Sequence, residues 1–231
     1  MIVKFFKITS LFIGIYLLST LIIVSTFILI NPASSAFMLN ADTENLLNVF
    51  IPNSILHGWA SYGNISAYSK LAVIASEDQT FKDHFGFDLK QIGKAWHDKE
   101  RGRRVRGAST ISMQVAKNIF LYEDKNFIRK GLEAYYTLVL ETLWSKKRIL
   151  EVYLNTAQFG ENVFGVQAAA EDFFNREPSR LTIRQAATLA AVLPNPVRFS
   201  AVRPSRYIVF RRGNIIRQMY LIGWKNYLDE L

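Results

Sequence analysis

An uncharged run from Ile8 to Ile30 constrains this chain more than any other feature. About 20 apolar residues suffice for a helix to cross a bilayer, and inside the hydrocarbon every backbone polar group must be satisfied within the segment. Residues 8–30 are therefore expected to be a transmembrane helix. Lys4 and Lys7 precede the run, while Asp42 and Glu44 follow it. The positive-inside tendency then keeps residues 1–7 in the cytoplasm and sends the rest across. A cleaved signal peptide, with Ser34-Ser35-Ala36 as its small-residue site, would need an apolar region of only about 7 to 15 residues. The longer run favours a retained single-pass anchor.

Half of the 231 residues are hydrophobic, enough for one good core and one or two domains. The net charge of +9 calls for an anionic partner. Nucleic acid, an anionic membrane surface and a phosphorylated substrate all meet that demand. The chain has no cysteine, which removes disulfides and thiolate metal sites. Its histidines, His57, His84 and His97, cannot form a His-Glu-x-x-His centre. Residues 31–64 carry Pro32, Pro52, Gly58 and Gly63 and read as a membrane-proximal connector with no function of its own. In residues 65–231 strand-like alternation is scarce and helical spacing recurs, so the fold is expected to be mainly α.

The stretch from Ser76 to Asp88 mixes Glu77, Asp78, Asp83, His84 and Asp88 with Phe81, Phe85 and Phe87. A short apolar helix from Lys70 to Ser76 delivers Glu77 at its C-terminal edge. Acids set beside aromatics make Glu77 the first candidate for acid/base chemistry, against the plainer reading of a helix end and a polar loop. Asp88 is expected to cap a second helix whose Leu89, Ile92 and Trp96 share a core face. Lys99 to Arg106 is the most basic loop, with Lys99, Arg101, Arg103, Arg104 and Arg106 around Gly102. It leads into a helix with Ser109 as its expected N-cap. There Thr110, Gln114 and Lys117 form a polar stripe opposite Ile111, Val115 and Ile119. An ordinary exposed face carries more charge, so the stripe resembles a cleft wall.

The next helix, Phe127 to Trp144, is expected to bury Ile128, Leu132, Tyr135, Tyr136, Val139 and Leu143. Arg129 and Glu133 stand on it at i, i+4, a spacing that in isolation most often means an exposed ion pair. Further helices are expected at Ser145–Asn155, around Ala168 to Ala170 after Gly160 and Gly165, from a Thr182/Gln185 capping box to Leu193, and from Ser205 to Tyr227.

Taken in order, Glu77-Asp-x-x-Phe-x-x-His-x-Gly86, Gly107-x-Ser-Thr-Ile-x-x-Gln-x-x-Lys-Asn118 and Arg129-Lys-x-x-Glu133 resemble the first three motifs of the family 51 glycosyltransferases, the peptidoglycan polymerases. The segment from Lys147 to Asn155, containing Ile-Leu-Glu-x-Tyr-Leu-Asn, and Ala187-x-Leu-Ala-x-x-Leu-Pro-x-Pro196 match two more. Two positions depart: Ala108 replaces a glycine, and Met113 replaces the first of two paired glutamines and is not carried over as a ligand.

The resemblance implies a lysozyme-like α fold with a small membrane-proximal jaw. It implies an enzyme that polymerises lipid II by inverting transfer, forming β-1,4 bonds and releasing undecaprenyl diphosphate. Glu77 would be the general base on the acceptor 4-hydroxyl. Lys117 and Arg129 would stabilise the leaving diphosphate, and Glu133, the second family carboxylate, would orient those cations or a divalent metal. Thr110 and Gln114 would line the donor side, with Asn118 beside them as a substrate contact. Asp78, Phe81 and His84 would support the site from behind. A divalent cation, Mg²⁺ or Mn²⁺, is implied as an aid to the leaving diphosphate, although the sequence shows no ligand cluster for it. The implied partners are lipid II, the growing glycan strand, membrane lipid and cell-wall synthesis or division proteins. By likeness to the Gram-negative enzymes, the catalytic domain belongs in the periplasm, anchored in the inner membrane, where nucleic acid is no partner. Neither Ser-x-x-Lys nor Lys-Thr-Gly occurs, so no transpeptidase activity is expected.

Two other readings compete. A lysozyme-like glycan cleaver also uses a Glu in a helical cleft, yet it has no diphosphate to neutralise with Lys117 and Arg129. A membrane-anchored anion-binding protein would use the basic loop and the C-terminal helix without chemistry.

Overall fold

The computed structural model describes residues 2–39, 55–103, 107–122, 124, 126–224 and 226–231. Asp42, Glu44, Pro52, Arg104 and Arg106 lie outside them. Helix α1, Ile2–Leu29, contains the apolar run, and its Lys7–Leu29 section is long and apolar enough to cross a membrane. After it come β1 (Leu56–His57), α2 (Ala67–Glu77), α3 (Leu89–Glu100), α4 (Ile111–Phe120), α5 (Phe127–Leu143), α6 (Lys146–Thr156), β2 (Gln158–Gly160), β3 (Val163–Phe164), α7 (Gly165–Phe174), α8 (Ile183–Val192), α9 (Arg206–Leu221) and α10 (Asn226–Asp229). The architecture is mainly α, with one three-stranded sheet in the order β1-β3-β2. In that sheet β1 runs parallel to β3, and β2 antiparallel to it.

Local chemistry sets the helix starts. Ser66, Asp88, Asn126, Ser145 and Ser205 each accept a hydrogen bond from the backbone N–H three residues on, and Thr182 with Gln185 closes a full capping box. Such caps satisfy otherwise orphaned donors, at about 1 kcal/mol each. Packing does the rest. Helix α8 buries Ala186, Ala187, Ala190 and Ala191, and these small side chains let α2 and α9 lie close against it. Helix α4 packs against α5 and α6 through Ile111, Val115 and Ile119, the predicted apolar face. At the entry to α7, Gly165 has φ +81°, and a Cβ there would sit 2.7 Å from the Asn155 carbonyl oxygen, so the close turn requires glycine.

Four expectations fail. Helix α3 buries none of its residues: Leu89 is 76 % and Trp96 64 % exposed, with Ile92 also exposed, so this face is surface rather than core. Ser109 does not cap α4; Thr110 does, its hydroxyl accepting from Met113 N. Ile128 is 78 % exposed because it lies in the first turn of α5, beyond the packed section, and Leu132, Tyr135 and Leu143 are only half-buried. Helix α9 ends at Leu221 instead of reaching Tyr227, and the chain then turns through Gly223 and Trp224, both at positive φ.

Helix α1 is docked against the rest of the chain rather than tethered to it. The Tyr16 hydroxyl lies 3.2 Å from that of Tyr136, and Thr20 Oγ1 lies 2.5 Å from the Tyr135 hydroxyl on α5. Trp144 Nε1 donates to Val24 O at 2.9 Å. Arg148, at the start of α6, donates to Phe27 O at 2.8 and 3.1 Å and to Ile30 O at 3.2 Å. The last carbonyls of a helix lack intrahelical donors and carry partial negative charge, so a guanidinium is the natural cap.

Candidate active site

Three elements converge: the C-terminus of α2, the polar face of α4 and the first turns of α5. Glu77 ends α2, where burial of Leu71 to Ala75 fixes the helix against α8. Its carboxylate is held from two sides. Gln114 Nε2, on α4, donates to Oε2 at 3.2 Å, and the Ser76 hydroxyl donates to Oε1 at 2.9 Å. Arg211, on α9, donates to Ser76 Oγ at 3.0 Å and stands 3.6 Å from Glu77 Oε1. The immediate partners of Glu77 are thus polar, not the aromatics beside it in sequence. Phe81 is fully buried with Lys146 Nζ 4.5 Å above its ring, while Phe85 is exposed.

Asp78 supports this from behind. Its buried carboxylate takes His84 Nε2 at 2.9 and 3.1 Å and Ile111 N, the first residue of α4, at 3.0 Å. The end of α2 and the start of α4 are thereby joined through one side chain. Thr110 adds a second join, donating to Gly86 O at 2.6 Å. It is 2 % exposed, so the expectation that Thr110 lines the donor side is corrected. Its hydroxyl is consumed as a helix cap and a loop clamp. Asn118 is likewise buried on α4 and does not line the cavity, because its side chain falls on the packed side of the helix.

That cavity, about 220 Å³, is lined by Ser109, Met113, Gln114, Lys117, Arg129, Lys130 and Glu133. Glu133 is buried and accepts from Arg129 NH1 at 2.7 Å and from Lys130 Nζ. The i, i+4 pair is therefore no exposed ion pair. It is a carboxylate fixed between two cations on the wall of a cavity, and Arg129 Nε is buried without a hydrogen-bond partner. Lys117 faces the same space, with its Nζ 4.6 Å above the ring of Phe37. Gln114 is shared, touching Glu77 on one side and the cationic cavity on the other.

The sequence missed five participants. Lys130 was overshadowed by Arg129, and Met113 was set aside as a departure, yet both line the cavity. Phe37 lies in the connector to which no function was given. Arg211 looked like one more arginine on a basic helix. Tyr153, fully buried on α6, donates to Gln114 Oε1 at 3.1 Å. Only for Lys130 and Tyr153 did the sequence hold a pointer, because both stand inside the motif segments Arg129-Lys-x-x-Glu133 and Ile-Leu-Glu-x-Tyr-Leu-Asn155. The donor set does not fit a resident metal. Among the described residues no three His, Asp or Glu side chains converge, and each oxygen of Glu133 already accepts from a cation.

The model of the family described as Transglycosylase matches residues 44–220. A protein of Pseudomonas putida (strain F1) named biosynthetic peptidoglycan transglycosylase is 46 % identical over 216 residues, covering 94 % of this chain and 91 % of its own length. Its counterpart in Pseudomonas putida (strain GB-1), of the same name, is 47 % identical over 213 residues, 92 % of this chain and 90 % of its own. One from Shigella sonnei (strain Ss046), again so named, is 53 % identical over 173 residues, 74 % and 72 % of the two chains.

Proposed function

The chain belongs to the transglycosylase family, and from that premise we propose that it is a peptidoglycan glycosyltransferase that polymerises lipid II into glycan strands at the outer face of the cytoplasmic membrane. The observation that carries the reading is a single carboxylate, Glu77, bridged by Gln114 to a cavity walled by Lys117, Arg129 and Lys130. At about 220 Å³ the cavity is smaller than the roughly 300–1,000 Å³ of sites for drug-sized ligands, so it suits a small, highly charged group. A diphosphate has that character. The sugars and the lipid would lie in the open cleft and the bilayer.

In this reading Glu77 takes the proton of the acceptor 4-hydroxyl as its oxygen attacks the anomeric carbon of the growing strand. The bond to the diphosphate breaks, and its charge is received by Lys117, Arg129 and Lys130. Glu133 holds the latter two in place. One displacement inverts the anomeric centre, so no covalent glycosyl-enzyme is needed. A Mg²⁺ or Mn²⁺ ion arriving with the substrate would draw its ligands mainly from the diphosphate oxygens. The docked α1 supports a position of the cavity near the membrane carrying the lipid, and Lys4 and Lys7 ahead of the apolar run support an N-terminus in the cytoplasm and a catalytic domain in the periplasm.

The cationic cavity favours polymerisation over glycan cleavage, which has no leaving diphosphate. Purified full-length protein supplied with lipid II in vesicles should build glycan, and Glu77→Gln should slow it about 10²- to 10⁴-fold. Consumption of finished glycan but not of lipid II would overturn the proposal.

A further inference from the structure

We infer that Tyr153 is a positioning residue for this reaction: its hydroxyl fixes the amide of Gln114 so that the N–H group, and not the amide oxygen, faces Glu77. The inference rests on the reading of Glu77 as the base. The two ends of a glutamine amide have nearly the same shape, so packing cannot choose between them; the hydrogen-bond partners must. In the observed arrangement Gln114 Nε2 donates to Glu77 Oε2 at 3.2 Å, while Gln114 Oε1 accepts from the Tyr153 hydroxyl at 3.1 Å. Turning the amide over would set its oxygen against a carboxylate oxygen, two acceptors with no proton between them, in a partly buried place where such a contact is costly.

Tyr153 is suited to enforce the choice. Its side chain is 1 % exposed, and Gln114 is the hydrogen-bond partner of its hydroxyl among the described residues. Burial, reinforced by the negative charges of Glu77 and Asp78, pushes the phenol pKa well above its usual value of 10.0. The phenol therefore stays protonated at any pH at which the enzyme works, and it is always a donor. Its ring is fixed by α6, so the chain Tyr153–Gln114–Glu77 ties the base to the rigid core through α4. On the opposite oxygen Ser76 does the same from α2, itself held by Arg211. Both carboxylate oxygens are thus oriented by protein donors, and each retains a lone pair for the incoming hydroxyl.

The test is a double-mutant cycle on the full-length protein with lipid II in vesicles. Tyr153→Phe keeps the ring and the fold. It should lower kcat about 10- to 100-fold, the worth of an oriented hydrogen bond to a charged group, with KM for lipid II unchanged. Gln114→Ala should have a similar effect, and adding Tyr153→Phe to Gln114→Ala should change nothing further, because the phenol acts only through the amide. Equal losses from Tyr153→Phe in both backgrounds would show an independent structural role and overturn the inference, as would an unchanged kcat in the single variant. Glu77→Gln serves as the reference. If it polymerises at the wild-type rate, the assignment of the base falls and this inference falls with it. If it is inactive while the cycle is additive, only the role of Tyr153 is refuted.

Discussion

Replacing Asp78 by alanine should cost this protein more stability than replacing any exposed acid, and the structure gives the size of the effect. The carboxylate is nearly inaccessible and accepts from Ile111 N at 3.0 Å and from His84 Nε2 at 2.9 and 3.1 Å. Alanine leaves the first N–H of α4 with no acceptor. It also strands His84, and a change of tautomer brings no relief, because His84 Nδ1 is buried and without a partner as well. Whichever ring nitrogen carries the proton, one buried donor is orphaned. An unsatisfied buried donor costs about 1–3 kcal/mol, so two cost about 4 kcal/mol. For a chain of this size each kcal/mol lowers the unfolding midpoint by about 2–4 °C, giving a fall of about 8–16 °C. Asp78→Asn keeps one acceptor oxygen and should lose about half as much. Thermal unfolding in detergent micelles, followed by circular dichroism, reads both variants. A fall below about 2 °C for Asp78→Ala would refute the claim that this carboxylate joins α2 to α4.

Three other outcomes are expected. Lys117→Ala and Arg129→Ala should each reduce lipid II turnover about 10²-fold or more while the fold persists, and an unimpaired rate in either variant would contradict the role proposed for it at the diphosphate. Arg148→Ala should release the C-terminal carbonyls of α1; since the chain has no cysteine, spin labels on single cysteines introduced in α1 and α7 would report the change as a broadened distance distribution, and an unbroadened one would contradict the docking. Chelating divalent cations should slow turnover without shifting the unfolding midpoint, because the described residues offer no metal cage whose loss would destabilise the fold; a lowered midpoint would reveal a resident ion.

Much of the fold was legible because its determinants are local. The apolar run of α1, the caps at Asp88 and Thr182, and the apolar stripe Ile111, Val115 and Ile119 all follow from spacing along a few turns. Where periodicity misled, the cause was tertiary. Leu89, Ile92 and Trp96 have the spacing of a core face, but among the described residues nothing buries that side of α3, and periodicity reports which residues share a face without saying what covers it. Thr110 shows the same limit in reverse. It was read as the head of a polar stripe with Gln114 and Lys117, but whether its hydroxyl meets substrate or the carbonyl of Gly86 depends on where a distant loop lies.

The candidate site divides along the same line. By itself the sequence determined the chemistry available: a carboxylate at the end of an apolar helix, a cationic stripe, an Arg-x-x-x-Glu pair and an apolar run long enough to cross a membrane. Only the tertiary structure decided that Glu133 is a buried clamp between Arg129 and Lys130, and that Glu77 is aimed by Gln114, Tyr153, Ser76 and Arg211. Those partners come from α2, α4, α6 and α9. The physical reason is that hydrogen bonds and charges act over a few ångströms in space, whereas spacing rules act over a few residues of one helix. A polar side chain on one helix carries no mark of the helix it will meet until the apolar faces have packed and brought the two together.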